Sequence, residues 1–324
     1  MPWIRRIARS YPLACFCAVA FSISWTLWSP LALGRPGGQL ASRYLHLVGS
    51  LGPACAALIV TYLSSGRTAV RMLIGRMFAW RVPPLWHAVA WLAPFALFVV
   101  AAIVVRTAFG RSWELDALGR SPEYPALPLP MYWAASLVCY GWGEETGWRG
   151  FTLARLQARH SALASTMILS VMWAAWHVPL FSFATGLMRM GPAEVMGWYL
   201  SILTGAVLFT WLFNSTQGSI FILAVFHGTM DIVFVSPGPP ERATVLGALV
   251  TCWGLAVLVF AGPRHLSRSG KVVAAAQPAT AAELTKLQRT GPLMQASDAQ
   301  RGSRPDRQSL RAECVHPCDR NEPR

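Results

Sequence analysis

Glu144, Glu145, His177, His227 and Asp231 all lie inside apolar stretches of membrane length, although the 324-residue chain has only fourteen acidic residues. A carboxylate or imidazole at bilayer depth costs several kcal/mol or more unless it is paired or meets water, so such residues are read first as functional. In the order Gly143-Glu144-Glu145-Thr146-Gly147-Trp148-Arg149-Gly150, Glu145 and Arg149 are four apart. On a helix they share a face and can pair, which leaves Glu144, turned ~100° away, without a local partner. A carboxylate in that position is suited to act as a general base or acid. Trp173 and His177 are also four apart, and Pro179 has no N–H to give, so the helix should kink or open beside the histidine. His227 and Asp231 share a face in the same way, with Asp231 set either to orient the imidazole or to act as a ligand itself.

The elements that position these groups are membrane helices. Hydrophobic residues make up 54% of the chain and charged residues 13%, and long runs are almost free of charge, which identifies an all-α polytopic membrane protein. Eight spans are expected, near 11–34, 44–65, 83–106, 129–152, 168–188, 196–214, 218–236 and 243–262, each close to the ~20 residues that cross a ~30 Å hydrocarbon core. The first span, preceded by Arg5, Arg6 and Arg9, reads as a retained signal anchor. Residues 1–262 form one transmembrane domain whose motif-bearing core is 129–236. Residues 263–324 form a basic, polar tail expected to be disordered, apart from a short helix near Ala279–Gln288.

Orientation follows from the bias of basic residues towards cytoplasmic loops. With the N-terminus inside, Arg5, Arg6, Arg9, Arg67, Arg71, Arg76, Arg81, Arg155, Arg159, Arg264, Arg268 and Lys271 face the cytoplasm. Arg35, Arg43, Arg106, Arg111, Arg120, Arg189 and Arg242 fall on the other side, and an even number of spans returns the C-terminus to the cytoplasm of a cell-membrane protein. The net charge of +14 is scattered through short loops and the tail, which fits topology and anionic lipid and argues against nucleic acid. Cys15, Cys17, Cys55, Cys139 and Cys252 sit in apolar spans as small hydrophobes, and Cys314 and Cys318 around His316 make only a weak metal motif.

Depth relates the three motifs. Glu144 lies ~12 Å from the cytoplasmic end of its span, and His177 and His227 lie ~13 Å into theirs, at 1.5 Å per residue. This requires span five to begin near 168, leaving 153–167 as an amphipathic connector on the cytoplasmic surface. Each motif also has a structural reading. A Glu–Arg pair can merely lock helices, His87 has no acidic companion and reads as a satisfied residue, and Trp142, Trp148, Trp173 and Trp176 read as packing or interface anchors. Two glutamates, two histidines and an aspartate at matched depth are an expensive way only to hold a fold.

The order Glu-Glu-x3-Arg, aromatic-x3-His, His-x3-Asp resembles the CPBP family of intramembrane proteases, which includes type II CAAX prenyl endopeptidases and bacterial Abi-type, bacteriocin-associated proteins. The resemblance covers about 129–236, with GWRGF after the glutamates, WHVP around the first histidine and NSTQGS before the last motif. Two residues depart from the family pattern: Trp173 stands where Phe is usual, and Asp231 where Asn is usual. The resemblance implies that Glu144 and His177 position and activate a water against a peptide carbonyl, while Glu145 and Arg149 form a supporting pair with Trp173 as an aromatic wall. It implies that His227 and Asp231 stabilise the oxyanion or hold a metal. An Asp at 231 would have to be protonated to donate, or His227 must donate instead. Glu144, His177 and His227 also make a reasonable ligand set for Zn²⁺, which would lower the pKa of a bound water towards ~7, and a desolvated glutamate can act without one. The expectation is a metal-assisted endopeptidase that acts on a membrane-associated or lipidated peptide arriving from the cytoplasmic leaflet. A non-catalytic adaptor or bacteriocin-immunity protein and a proton-coupled transporter are the alternatives.

Overall fold

The computed structural model describes residues 2–34, 39–113 and 115–274. The Cys314, His316 and Cys318 motif, the helix near Ala279–Gln288 and the expected disorder beyond 274 lie outside these residues. Among the described residues all regular structure is helical. In chain order the helices are α1 (Pro2–Ser10), α2 (Pro12–Ala32), α3 (Gln39–Gly49), α4 (Gly52–Met77), α5 (Pro84–Phe109), α6 (129–156), α7 (Ala162–Trp176), α8 (Pro192–Ser215), α9 (Ile220–Val235) and α10 (Arg242–Ala261). Helical structure thus lies in every segment read as a span, although in the fifth, 168–188, it ends at Ser182.

Six stretches are long and apolar enough to cross a bilayer: Pro12–Ala32, Tyr44–Met77, Pro84–Phe109, Ala162–Ser182, Pro192–Ser215 and Arg242–Ala261. Among the described residues six of the eight expected spans meet these limits of length and composition, and the other two do not. The two that fall short are α6 and α9, which carry both glutamates and the His227/Asp231 motif. Helix α9 has sixteen residues, and α6 is interrupted by π-helical turns at Leu137–Trp142 and Thr146–Leu153. Both are enclosed by the longer helices: every residue from Gly143 to Ala154 and from Ile220 to Met230, Phe221 excepted, is buried. The outer surface is apolar, with Leu92, Met196, Val259 and Phe260 at 63%, 68%, 76% and 83% exposure, as a lipid-facing surface must be. These features make the chain a multi-pass membrane protein.

Three local sequences shape the bundle. Ser161 caps α7 by accepting the Ala164 N–H at 3.2 Å, so the helix begins at Ala162 and the expected connector over 153–167 is corrected to a short turn. Gly66 interrupts α4 with φ +82°, a conformation open to glycine, and the chain beyond it carries Arg67, Arg71 and Arg76. At Gly141, a Cβ would lie 2.5 Å from the Ala224 carbonyl oxygen, so α6 and α9 meet backbone to backbone.

Aromatic packing fills the centre: Trp28 stands 4.6 Å from Trp176, and Phe16 stands 5.3 Å from Trp148 and 5.0 Å from Phe151. Residues 263–274, assigned to the tail on composition, return to the bundle through Ala162 N–H to Arg264 O and Ala274 N–H to Ala154 O, both 2.9 Å. Buried Gln157 and Asn214 lock them there, donating at 2.8 Å to the carbonyls of Val272 and His265. Composition cannot show such pairing, since it depends on carbonyls and amides far apart in the chain.

Gly141→Ala should therefore destabilise the protein by about 1–3 kcal/mol, the scale of overpacking in a close-packed interior. Thermal unfolding in detergent would show this, and an unchanged midpoint would contradict the close approach of α6 and α9.

Candidate active site

The π-helical turns of α6 bracket Gly143–Glu145, so the two glutamates occupy one ordinary turn between two wide ones. Such turns are frequent at functional sites because they re-aim side chains. Glu145 turns inward: Arg149 Nη1 donates to its Oε1 at 2.9 Å, the i,i+4 pair that the spacing predicts. His227 Nδ1 donates to the same oxygen at 2.7 Å. Glu145 and Arg149 have no exposed side-chain surface. The guanidinium lies between Trp173 and Phe209, with its carbon 4.4 Å from each ring centre.

Glu144 has no partner on its own helix, but Trp173 Nε1 donates to its Oε2 at 2.7 Å, leaving Oε1 without a protein donor among the described residues. Trp173 thus does more than pack. Helix α7 ends at Trp176 and continues as a 3₁₀ turn, Val178–Ser182, which is the opening that Pro179 predicts. There His177 Nδ1 lies 2.7 Å from the Trp173 carbonyl. A carbonyl only accepts, so Nδ1 carries the proton and Nε2 keeps the lone pair. For His227 the same argument from Glu145 puts a proton on Nδ1 and leaves Nε2 as the outward nitrogen. Asp231 Oδ1 is 3.9 Å from that Nε2, too long for a hydrogen bond, and its Oδ2 accepts from Ser136 Oγ at 2.7 Å.

Glu144, His177, His227 and Asp231 line one cavity of about 500 Å³, together with Tyr132, Tyr140, Trp176 and Trp198. The cavity therefore unites side chains from all three sequence motifs. Its mouth includes a pair that spacing does not reveal: His46 Nδ1 and Glu123 Oε1 are 2.7 Å apart, and the Tyr124 hydroxyl donates to that oxygen at 3.1 Å. Separated by 77 positions, His46 and Glu123 carry no local signal. Ser136 does carry one, as a hydroxyl two turns before Glu144 on an apolar helix. His87 stands apart, against the Trp80 carbonyl at 2.8 Å, as its isolation in sequence implies.

Among the described residues, no three His, Cys, Asp or Glu side chains are arranged to hold one ion. Nδ1 of His177 and of His227 is committed to the Trp173 carbonyl and to Glu145, which leaves Nε2 of each as the nitrogen that could act as a ligand. The cavity is also lined by Ser121, Thr185 and Arg242, at the end of the bundle away from 154–161 and 215–219.

A family model described as Rce1-like, type II CAAX prenyl endopeptidase, matches residues 126–233. The protein named CAAX prenyl protease 2 from Methanococcus maripaludis is 30% identical over 93 residues, which are 28% of this chain and 34% of that protein. The match spans about a third of that relative's length. The family-model match covers the region that supplies Glu144, Glu145, Trp173, His177, His227 and Asp231, in the motif order read from the sequence. Residues 126–233, which bring Glu144, His177, His227 and Asp231 to one cavity, are similar to the Rce1-like type of CPBP protease.

Proposed function

We propose that this protein is an intramembrane endopeptidase that hydrolyses a peptide bond in a membrane-associated protein, with Glu144 as the general base. One observation carries the reading: Glu144 Oε1 and the lone pair of His177 Nε2 are both left open by their partners, and both residues line the same cavity. A water there donates one hydrogen to each. Attack of its oxygen on the peptide carbonyl carbon transfers a proton to Glu144, and the carbonyl oxygen becomes an oxyanion. His227 Nε2–H, present when the ring is doubly protonated between Glu145 and Asp231, donates to that oxyanion. Glu144 then returns the proton to the nitrogen as the C–N bond breaks, leaving a carboxylic acid and an amine. Asp231 needs no proton of its own, because Ser136 holds it as an acceptor. The proposal includes orientation: the end carrying the basic residues lies at the cytoplasmic face of the cell membrane.

A second reading has support in the same cavity, since Glu144, His177 and His227 all line it and could close on a divalent ion such as zinc if their side chains moved together. Metal content of the purified protein beside Glu144→Ala, His177→Ala and His227→Ala separates the two. Activity in protein without stoichiometric metal is expected here, and a near-stoichiometric ion lost in the folded variants would replace the glutamate-only mechanism.

Glu144→Gln and His177→Ala should each lower peptide hydrolysis at least ~10²-fold while the protein remains folded, the scale of lost acid–base catalysis. Full activity in either would end the assignment, and complementation by Glu144→Gln would favour a binding role over an enzyme. Trp173→Phe removes one hydrogen bond to a carboxylate, worth about 1.5–3 kcal/mol, so a loss of roughly ten- to a hundredfold in kcat is expected. Glu145→Ala strands a buried guanidinium and should destabilise by about 3–5 kcal/mol, whereas the double variant with Arg149→Met should cost less than the two single changes together. Unfolding midpoints of the four proteins test this, and simple additivity would contradict it.

A further inference from the structure

Residues 1–113 contain no aspartate or glutamate, yet seven arginines fall in two short stretches of them, 5–9 and 67–81. The fold brings the two stretches together. Helix α1 does not continue into α2, because Tyr11, at φ −130° and ψ 56°, separates them ahead of Pro12. Instead α1 packs against α4, where Arg9 Nε donates to the Ser64 carbonyl at 3.1 Å, just before the break at Gly66. Up to that break α4 belongs to the core, with Ala56, Ala57, Val60, Thr61 and Ser64 buried; beyond it, through Met77, only Leu73 is buried. Leu73 points towards α6, its Cδ1 3.1 Å from where a Cβ on Gly150 would lie. Arg67 and Arg71 are exposed on the side of the helix turned away from Leu73.

Nothing acidic balances this charge. The segments 154–161, 215–219 and 263–274 share this end, joined by Ser219 to the Ala79 carbonyl and Lys271 to the His160 carbonyl, and they too lack aspartate and glutamate. By contrast Arg111 and Arg120, between α5 and α6, meet Glu241 at 3.1 Å and Asp116 at 2.8 Å. Arg5 and Arg9, and likewise Arg67 and Arg71, are one helical turn apart, a spacing at which like charges repel. An anion bound between them replaces that repulsion with attraction. Exposed apolar side chains flank the cations, Trp3 and Ile7 on α1 and Met72 and Ile74 on α4. A free anion makes no use of these, whereas a phospholipid sets a phosphate and the start of an acyl chain side by side. We propose that α1 and residues 67–77 of α4 form a binding site for an anionic phospholipid. Arg5, Arg6, Arg67 and Arg71 hold the headgroup, since a planar guanidinium meets phosphate oxygens two at a time. Trp3, Ile7, Met72 and Ile74 lie against the first methylenes, and Arg9, through Ser64, ties the two halves of the site together. None of these residues lines the cavity that holds Glu144, so lipid binding here is separate from peptide hydrolysis.

To test this, purified full-chain protein in a non-ionic detergent is titrated with phosphatidylglycerol or with phosphatidylcholine of the same acyl chains, and bound lipid is counted by native mass spectrometry. Phosphatidylglycerol should bind at least ~fivefold more tightly than phosphatidylcholine, and Arg5→Gln/Arg6→Gln/Arg67→Gln/Arg71→Gln should lose at least ~tenfold of that affinity. Arg111→Gln/Arg120→Gln, which removes cations already paired, should bind as the unaltered protein does. Equal affinity for the two lipids, unchanged affinity in the quadruple variant or a matching loss in the Arg111/Arg120 variant would each overturn the proposal. Full displacement of the lipid by inorganic phosphate at equal concentration would overturn it too, since the occupant would then be a free anion. The unfolding midpoint without lipid shows whether the quadruple variant folds. If it does not, Arg5→Gln/Arg6→Gln and Arg67→Gln/Arg71→Gln are titrated separately, each expected to lose at least ~threefold and each overturning the proposal if unchanged.

Discussion

The structure depends on one buried carboxylate oxygen. Glu145 Oε1 receives both Arg149 and His227, so a single atom ties α6 to itself and to α9 and fixes which nitrogen of His227 points outward. Removing any one of the three leaves a charge or polar group in an interior with no water to receive it. Arg149 extends the tie to α7 and α8 by lying between Trp173 and Phe209, and Trp173 reaches Glu144. The side chain that most resembles a catalytic base is thus placed by a neighbour that never meets a substrate.

The same logic explains why α6 and α9 are the least membrane-like helices. A helix that carries two carboxylates, a guanidinium and wide turns cannot face lipid, because its polar groups must be satisfied within the protein. The six longer helices are apolar enough to meet a bilayer, and the parts of these two that carry Glu144, Glu145 and His227 are buried among their neighbours. Two requirements are divided between two sets of elements: the longer helices supply apolar outer surface, and the shorter ones supply polar chemistry.

Much of this was legible in the chain. Spacing of four residues announced the Glu145–Arg149 pair, and Pro179 announced the break after His177, because both are local effects of helix geometry. Runs of apolar residues located α2 and α4 to α10, whereas α1, with three arginines, has no such run. What stayed hidden depends on contacts between distant positions. The start of α7 is set by a serine cap that competes with an equally apolar alternative. The return of 263–274 depends on Gln157 and Asn214, and the pairing of His46 with Glu123 depends on two loops meeting. The direction of the cavity needed the arrangement of eight segments, since a depth measured from one end of a helix does not say from which end a group is reached.

The π-helical turns of α6 also bear on what lengths the helix can have. Each wide turn holds one more residue than an α-turn would, so Thr146–Leu153 contains a register offset between the glutamates and the segment that packs through Phe151 and Leu153. Deleting a single residue there would let the turn close into regular helix and rotate everything before it by ~100° relative to everything after. Glu144 and Glu145 would then leave the face that meets Trp173 and His227, although every side chain needed for the chemistry would still be present. Helix α6 can therefore tolerate a change of length at its ends far more readily than the loss of one residue within it.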